Sequence, residues 1–219
     1  MAISISKYME NEFLKIAQIL RDNVSIIALT GFKGSGKDTI GEYLVEYFGY
    51  TRFAFGDPIK DACKAIFSFN DVQLHGFKEK EIIDEYWGHA PRELFQMIGT
   101  ELFRTKLPEL CKNMTSNIWV KSLIKKMYEF YILNPKINNK FVITDVRFQN
   151  EFDAMKDLAG TIIRVSRKIE TNEINQFSNH ASEILINTFK VDYEIDNSYN
   201  LSSLHNKIEQ IINKVDTIN

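Results

Sequence analysis

Gly31-Phe32-Lys33-Gly34-Ser35-Gly36-Lys37-Asp38-Thr39 decides the reading of this chain. It follows a compact apolar run, Val24-Ser25-Ile26-Ile27-Ala28-Leu29-Thr30, and precedes a helical pattern that includes Tyr43, Leu44 and Phe48. Strand, glycine loop, helix is the setting in which G-x-x-x-x-G-K cradles phosphate. Glycines let backbone N–H groups turn inward to form an anion-binding concavity, and the following helix adds its positive end. Three of the chain's ten glycines fall in this window, which argues against a chance turn. Lys37 is then the point charge for the β- and γ-phosphates, with Gly31, Lys33, Gly34, Ser35, Gly36 and Thr39 lining the phosphate chain.

One position departs from the pattern. The residue after the lysine is ordinarily Ser or Thr, whose hydroxyl ligates magnesium, and here it is Asp38. A carboxylate beside a triphosphate is repulsive unless a cation lies between them. Asp38 is therefore expected to hold a hydrated metal through water or to face the second substrate.

With 219 residues, the chain is most simply one α/β domain with insertions. A 44% hydrophobic and 26% charged composition is that of an ordinary globule. A net charge of −2 gives no global field for DNA or an anionic membrane, so neither partner is expected. Cys63 and Cys111 lie far apart without zinc spacing to His75 or His89, and both read as reduced core residues. Glu10 and Glu12 interrupt the N-terminus, so no leader or anchor is expected and the reading is cytoplasmic.

Five segments read as strands: Val24 to Thr30, Arg52 to Phe55, Phe141 to Asp145, Thr161 to Val165 and Val191 to Asp196. Helical patterns between most of them imply a parallel sheet covered on both faces. Residues 1–21 form an amphipathic helix with Met9, Phe13, Ile16, Ala17 and Leu20 on one stripe. Residues 22–60 and 140–219 form the core, and residues 61–139 a helical insertion. Helical patterns in the insertion surround Ala62 to Phe67, Pro91 to Phe103 and Ile118 to Tyr131. Gly160 is expected to end the helix of Phe152, Met155 and Leu158, and Asn200 to cap the last helix.

Four further clusters carry chemistry. Asp57 and Lys60 follow the second strand, where ligands of doubly wound sheets bind; a Gly-Asp-Pro turn in which Asp57 caps a helix is the equal alternative. Arg92, Gln96 and Gly99 recur at helical spacing in the insertion, with Arg104 beyond them. A guanidinium grips phosphate, a carboxamide reads a base edge, and glycine admits a planar base; a solvated helix face with a tolerated glycine is the alternative. Asp145 and Arg147 end the third strand, the acid supporting magnesium through water and the arginine facing the transferring phosphoryl group; a salt bridge between them is the plainer reading. Residues 166–181 form a basic, polar excursion that reads as a lid. Arg164, Arg167, Lys168, His180 and Glu183 lie in or beside it, and His180 reads equally as a helix-start residue.

Gly-Lys-Asp-Thr, Pro-Arg-x-x-x-Gln-x-x-Gly-Thr-Glu, Asp-Val-Arg-Phe-x-Asn-Glu and His-x-Ser-Glu occur here in that order. Together they resemble the deoxynucleoside monophosphate kinases of large bacteriophages and related viruses, over about residues 24 to 210. The resemblance implies a three-layer P-loop kinase fold, ATP and Mg2+, and γ-phosphate transfer to a deoxynucleotide for DNA precursor supply. It also implies that Asn197-Ser198-Tyr199 passes near the adenine of ATP, and a host cytoplasmic location if the source is viral. Lys37, Arg92, Arg147 and Arg167 are expected to converge on the phosphates. A small-metabolite kinase such as dephospho-CoA kinase, and a P-loop switch or assembly ATPase, are the alternatives. A homodimer is the self-association entertained.

Overall fold

In the computed structural model the described residues are 2–137, 139–167 and 185–218. Five strands form: β1 (Ser25–Thr30), β2 (Thr51–Phe53), β3 (Lys140–Val146), β4 (Thr161–Ser166) and β5 (Tyr193–Asp196). They lie in the order β2-β3-β1-β4-β5, and every pairing is parallel. The three central strands read as nearly unbroken apolar runs because both their faces are covered. Ile27, Leu29, Val142, Ile143, Ile162 and Ile163 are fully buried.

All five expected strands are present, and the two edge strands are shorter than the sequence suggested. β2 stops at Phe53, leaving Ala54 and Phe55 buried beyond its ladder. Asp192 N still donates to Ile162 O at 2.9 Å, but β5 starts at Tyr193, and Ile162 N is met by the Asp192 side chain. That carboxylate accepts hydrogen bonds from Ile162 N at 2.8 Å and from Lys156 Nζ at 2.6 and 2.7 Å.

Contacts divide the chain into two compact units, Glu10–Ala54 with Ile124–Asn219, and Met1–Met9 with Phe55–Leu123. The first holds the sheet. The helix α1 (Ala2–Asn23) contributes Leu20, fully buried, with Phe13, Ile16 and Ala17 half-buried on the same stripe. The helix α2 (Lys37–Phe48) follows β1 directly and ends at Gly49 in the left-handed region, with φ 68°. After β3 this unit contains the helix Gln149–Asp157 and the last helix, Leu201–Ile218. Asn200 caps the last helix as expected, its Oδ1 accepting from Ser203 N at 2.9 Å. Leu204, Ile208, Ile211 and Ile212 enter the core with Ile27, Leu44 and Val165. The helix Gln149–Asp157 closes differently from expectation. Ala159, not Gly160, takes the left-handed turn (φ 57°), while Gly160 N donates to Met155 O at 2.8 Å.

The second unit contains α3 (Asp57–Phe67), α4 (Asp71–His75), a 3-10 turn at Glu79–Glu81, α5 (Pro91–Gln96) and α6 (Leu107–Leu110). Between α5 and α6 the chain is π-helical over Met97–Lys106, so the single α-helix expected from Pro91 to Phe103 is not what forms. Cys63, Phe69, Leu74, Leu94 and Ile98 make this unit's core. Burial pushes the Cys63 thiol up to about 11. Cys111, expected in the core, is exposed where α6 ends. The helix α7 (Ile118–Leu133) is the remaining long element, and α8 and α9 are hereafter Gln149–Asp157 and Leu201–Ile218. Among the described residues no helix is long and apolar enough to cross a membrane.

Candidate active site

Because β1 lies between β3 and β4, the chain leaves its carboxyl end at the point where successive connections turn to opposite sides of the sheet. That is where open parallel sheets bind ligands. The loop after β1 places Gly31, Gly34 and Gly36 at φ +143°, +77° and +104°, values that L side chains rarely adopt. Space reinforces the constraint. A Cβ on Gly31 would stand 2.2 Å from Val165 O, and one on Gly36 would stand 2.3 Å from Asn197 Nδ2.

Lys37 is 5% exposed, and its ammonium donates to Gly31 O at 2.7 Å and Phe32 O at 2.6 Å, with Ser35 Oγ at 3.4 Å. The first bond of α2 runs from Ile40 N to Gly36 O at 3.1 Å, so the N–H groups of Lys37, Asp38 and Thr39 lie ahead of the helix ladder. Asp38 is exposed on this first turn, while Lys33 and Thr39 are half-buried. The loop thus combines a buried cation, a helix N-terminus and left-handed glycines, which together suit an anion.

The end of β3 is tied to this loop. Thr30, the residue before Gly31, pairs with Val146, and its Oγ1 donates to Val146 O at 2.8 Å. Asp145 and Arg147, both half-buried, flank that tie. Glu151 in α8 is 2% exposed, and its Oε2 accepts from Arg147 N at 2.9 Å and Phe148 N at 3.1 Å.

Asn197, just after β5, reaches the loop through Nδ2, which donates to Ser35 O at 2.9 Å, while its own N donates to Ser166 O at 2.7 Å. Its side-chain amide braces the loop backbone. Arg167 is exposed just beyond β4, two residues after the Val165 carbonyl that abuts Gly31. Arg164, beside the basic excursion in sequence, is engaged at the edge of the sheet. Its guanidinium pairs with Glu194 and donates to the carbonyls of Ile186, at 3.2 Å, and Phe189, pinning that segment to β4. Lys168, His180 and Glu183 lie outside the described residues.

The residues expected to contact the acceptor mostly belong to the second unit. Asp57 opens α3 after Gly56, and Lys60 Nζ stands 3.4 Å from His75 Nδ1. Arg92 and Gln96 lie one turn apart on α5, both half-buried, and Arg92 Nε is ion-paired with Glu81. Arg104 lies half-buried in the π-helical stretch. Gly99 does not offer a base a bare backbone. It is buried, a Cβ there would stand 2.7 Å from Ile59 Cδ1, and its carbonyl accepts from Trp119 Nε1 at 2.8 Å. Within this unit the missing Cβ leaves room for the end of the Ile59 side chain.

Three partners escaped the sequence reading. Glu151 left a signal, an acid three residues after Phe148 at a helix start, which is the capping position. Glu81 and Trp119 left none, because only folding brings them to Arg92 and Gly99.

The family described as deoxynucleotide monophosphate kinase matches residues 77–208. A protein of Acanthamoeba polyphaga mimivirus named "Putative deoxynucleotide monophosphate kinase" is 35% identical over 193 residues, covering 87% of this chain and 93% of its own. Among solved structures, TT1252 from Thermus thermophilus is 14% identical with a TM-score of 0.49, covering 88% of this chain and 98% of its own. Shikimate kinase from Aquifex aeolicus is 15% identical with a TM-score of 0.42, covering 86% and 96%. The family match takes in the Arg92–Gln96 helix, the Asp145–Glu151 turn and Asn197, and the viral relative aligns over most of the chain. By that match and that identity, the chain belongs to the deoxynucleotide monophosphate kinase family.

Proposed function

We propose that the chain transfers the γ-phosphoryl group of ATP to a deoxynucleoside 5′-monophosphate, giving ADP and the diphosphate, with ATP held by the Gly31–Thr39 loop. The observation that carries this reading is Lys37, a buried ammonium at the mouth of a helix within a loop of left-handed glycines. Its present acceptors are the loop's own carbonyls, and phosphate oxygens are stronger acceptors for a cation. Asn197 holds Ser35 in place, so the loop meets the phosphates with little rearrangement.

Phosphoryl transfer asks the protein mainly for alignment and charge neutralisation. Lys37 and Arg147 are assigned to the transferring group, with Arg167 as a further cation beside β4. Arg92 is assigned to the acceptor phosphate and Gln96 to its base. Glu81, bound at Arg92 Nε, would orient the guanidinium side-on. Asp57, Lys60 and Arg104 are secondary candidates for the acceptor. The acceptor phosphate is already ionised, so no strong general base is required.

Among the described residues no three His, Cys, Asp or Glu side chains gather into a cage. Mg2+ is commonly held by one or two carboxylates with waters and substrate phosphates. Asp38 and Asp145 are the carboxylates that would hold it through water. The ion, when bound, neutralises charge on the phosphate oxygens.

The test measures ADP formation with each common deoxynucleoside and ribonucleoside monophosphate, alongside phosphate release without acceptor. ADP formation that depends on a deoxynucleotide supports the reading. Equal phosphate release with no acceptor would favour a switch ATPase, and turnover of dephospho-CoA alone would favour a metabolite kinase.

A further inference from the structure

We propose that Glu151 is a positioning residue for phosphoryl transfer, its buried carboxylate fixing the turn from which Arg147 projects. The inference rests on the assignment of Arg147 to the transferring group. Between the end of β3 at Val146 and the start of α8 at Gln149 only Arg147 and Phe148 intervene. Three backbone polar groups of the two peptides that flank Arg147 are held by two side chains. On the strand side Thr30 Oγ1 donates to Val146 O at 2.8 Å, within a buried contact. On the helix side Glu151 Oε2 accepts from both Arg147 N, at 2.9 Å, and Phe148 N, at 3.1 Å.

A glutamate at the third position of a helix ordinarily reaches back to one N–H from solvent. Here it is 2% exposed and reaches one residue further, to Arg147 itself. Burying a carboxylate is unfavourable unless hydrogen bonds replace its water. A solvated capping residue would serve the helix alone at lower cost. What burial adds is a fixed peptide plane on either side of the Arg147 Cα. That sets the origin and direction of the side chain while the side chain itself stays half-exposed. Thr30 precedes Gly31, so the same tie refers Arg147 to the phosphate loop. Alignment of this kind acts on the rate of transfer more than on binding.

The experiment is a double-mutant cycle of Glu151→Ala with Arg147→Ala in the full chain, reading kcat, both KM values and thermal stability. Glu151→Ala is expected to lower kcat roughly tenfold or more with each KM changed by less than about threefold. Glu151→Gln, which keeps an oxygen acceptor in place, should restore most of that loss. In the Arg147→Ala background, Glu151→Ala should cost little further kcat while lowering thermal stability as before. Should Glu151→Ala fail to fold, Glu151→Asp, which keeps the charge but withdraws it by a methylene, replaces it in the same cycle. An equal kcat loss in both backgrounds would overturn the proposal, as would an unchanged kcat in the Glu151 variant when Arg147→Ala is impaired. An undiminished kcat in Arg147→Ala would instead overturn the assignment of Arg147 as well.

Discussion

The Gly31–Thr39 loop and the Pro91–Lys106 helix both set glycine beside groups assigned to substrate, yet they use it for opposite purposes. In the loop, Gly31, Gly34 and Gly36 occupy backbone conformations that other residues rarely adopt. The requirement is local, and so the spacing of the motif already states it. In the helix, Gly99 has an ordinary backbone, and its missing Cβ leaves room for Ile59. That requirement is tertiary. The change from α to π geometry after Gln96 belongs to the same logic. Arg92 and Gln96 keep their shared face because both precede the change, whereas residues beyond it leave the 3.6-residue phase. A motif that shapes its own backbone is readable in sequence; the phase of a helix held from outside is not.

The largest effect is expected at Lys37. If the loop is the ATP site, Lys37→Met should lower kcat by roughly a hundredfold or more, since a cation at developing charge contributes on the order of 3 kcal/mol. Circular dichroism should show the fold retained. A folded variant with near-normal turnover would remove the loop from catalysis and with it one side of the contrast.

A smaller effect is expected from the helix. Arg92→Ala should lower kcat/KM for the monophosphate by roughly tenfold to a hundredfold, the range for a charge-assisted hydrogen bond. ATP binding measured without acceptor should hardly change. Gln96→Ala should cost less, on the order of 1 kcal/mol, and by an amount that varies from base to base. Steady-state kinetics over several acceptors distinguish the two. An equal penalty for every base at Gln96, or lost ATP binding at Arg92, would sink the division of roles.

How far the sequence carries follows from the same distinction between local and distant causes. The five strands are legible because long β-branched runs suit strands buried on both faces. The phosphate loop and the Asn200 cap are legible because each needs particular residues at fixed spacing. The partners of Arg164, Glu194 and the carbonyls of Ile186 and Phe189, were not legible because they are distant in sequence. Just before β5, Asp192 is bound by Lys156 and Ile162, also a distant contact. Asn197 was expected near ATP only through the family resemblance, and its hydrogen bond to Ser35 O is again a contact distant in sequence. Glu151 lies between the two kinds, since its capping position was visible and its burial was not.

The smallest effect tests the tertiary side directly. Trp119 Nε1 donates to Gly99 O at 2.8 Å, and its ring meets Phe103 at a centroid distance of 5.3 Å. Trp119→Phe keeps an aromatic ring against Phe103 but removes the donor. The loss of one buried hydrogen bond should cost about 1 kcal/mol, seen as a fall of a few degrees in Tm. If that bond holds the phase of the helix beyond Gln96, the variant should also raise KM for the monophosphate about twofold to threefold while leaving KM for ATP unchanged. The control is Gly99→Ala, whose added Cβ presses on Ile59 Cδ1, the end of a flexible side chain. Combining it with Ile59→Val, which deletes that methyl, should recover stability lost in the single variant. A Trp119→Phe enzyme with lower Tm and unaltered acceptor KM would mean that the bond supports the unit without steering Gln96. Equal shifts in both KM values would mean that its influence is not confined to acceptor binding, and either result would dissolve the contrast between the two glycine segments.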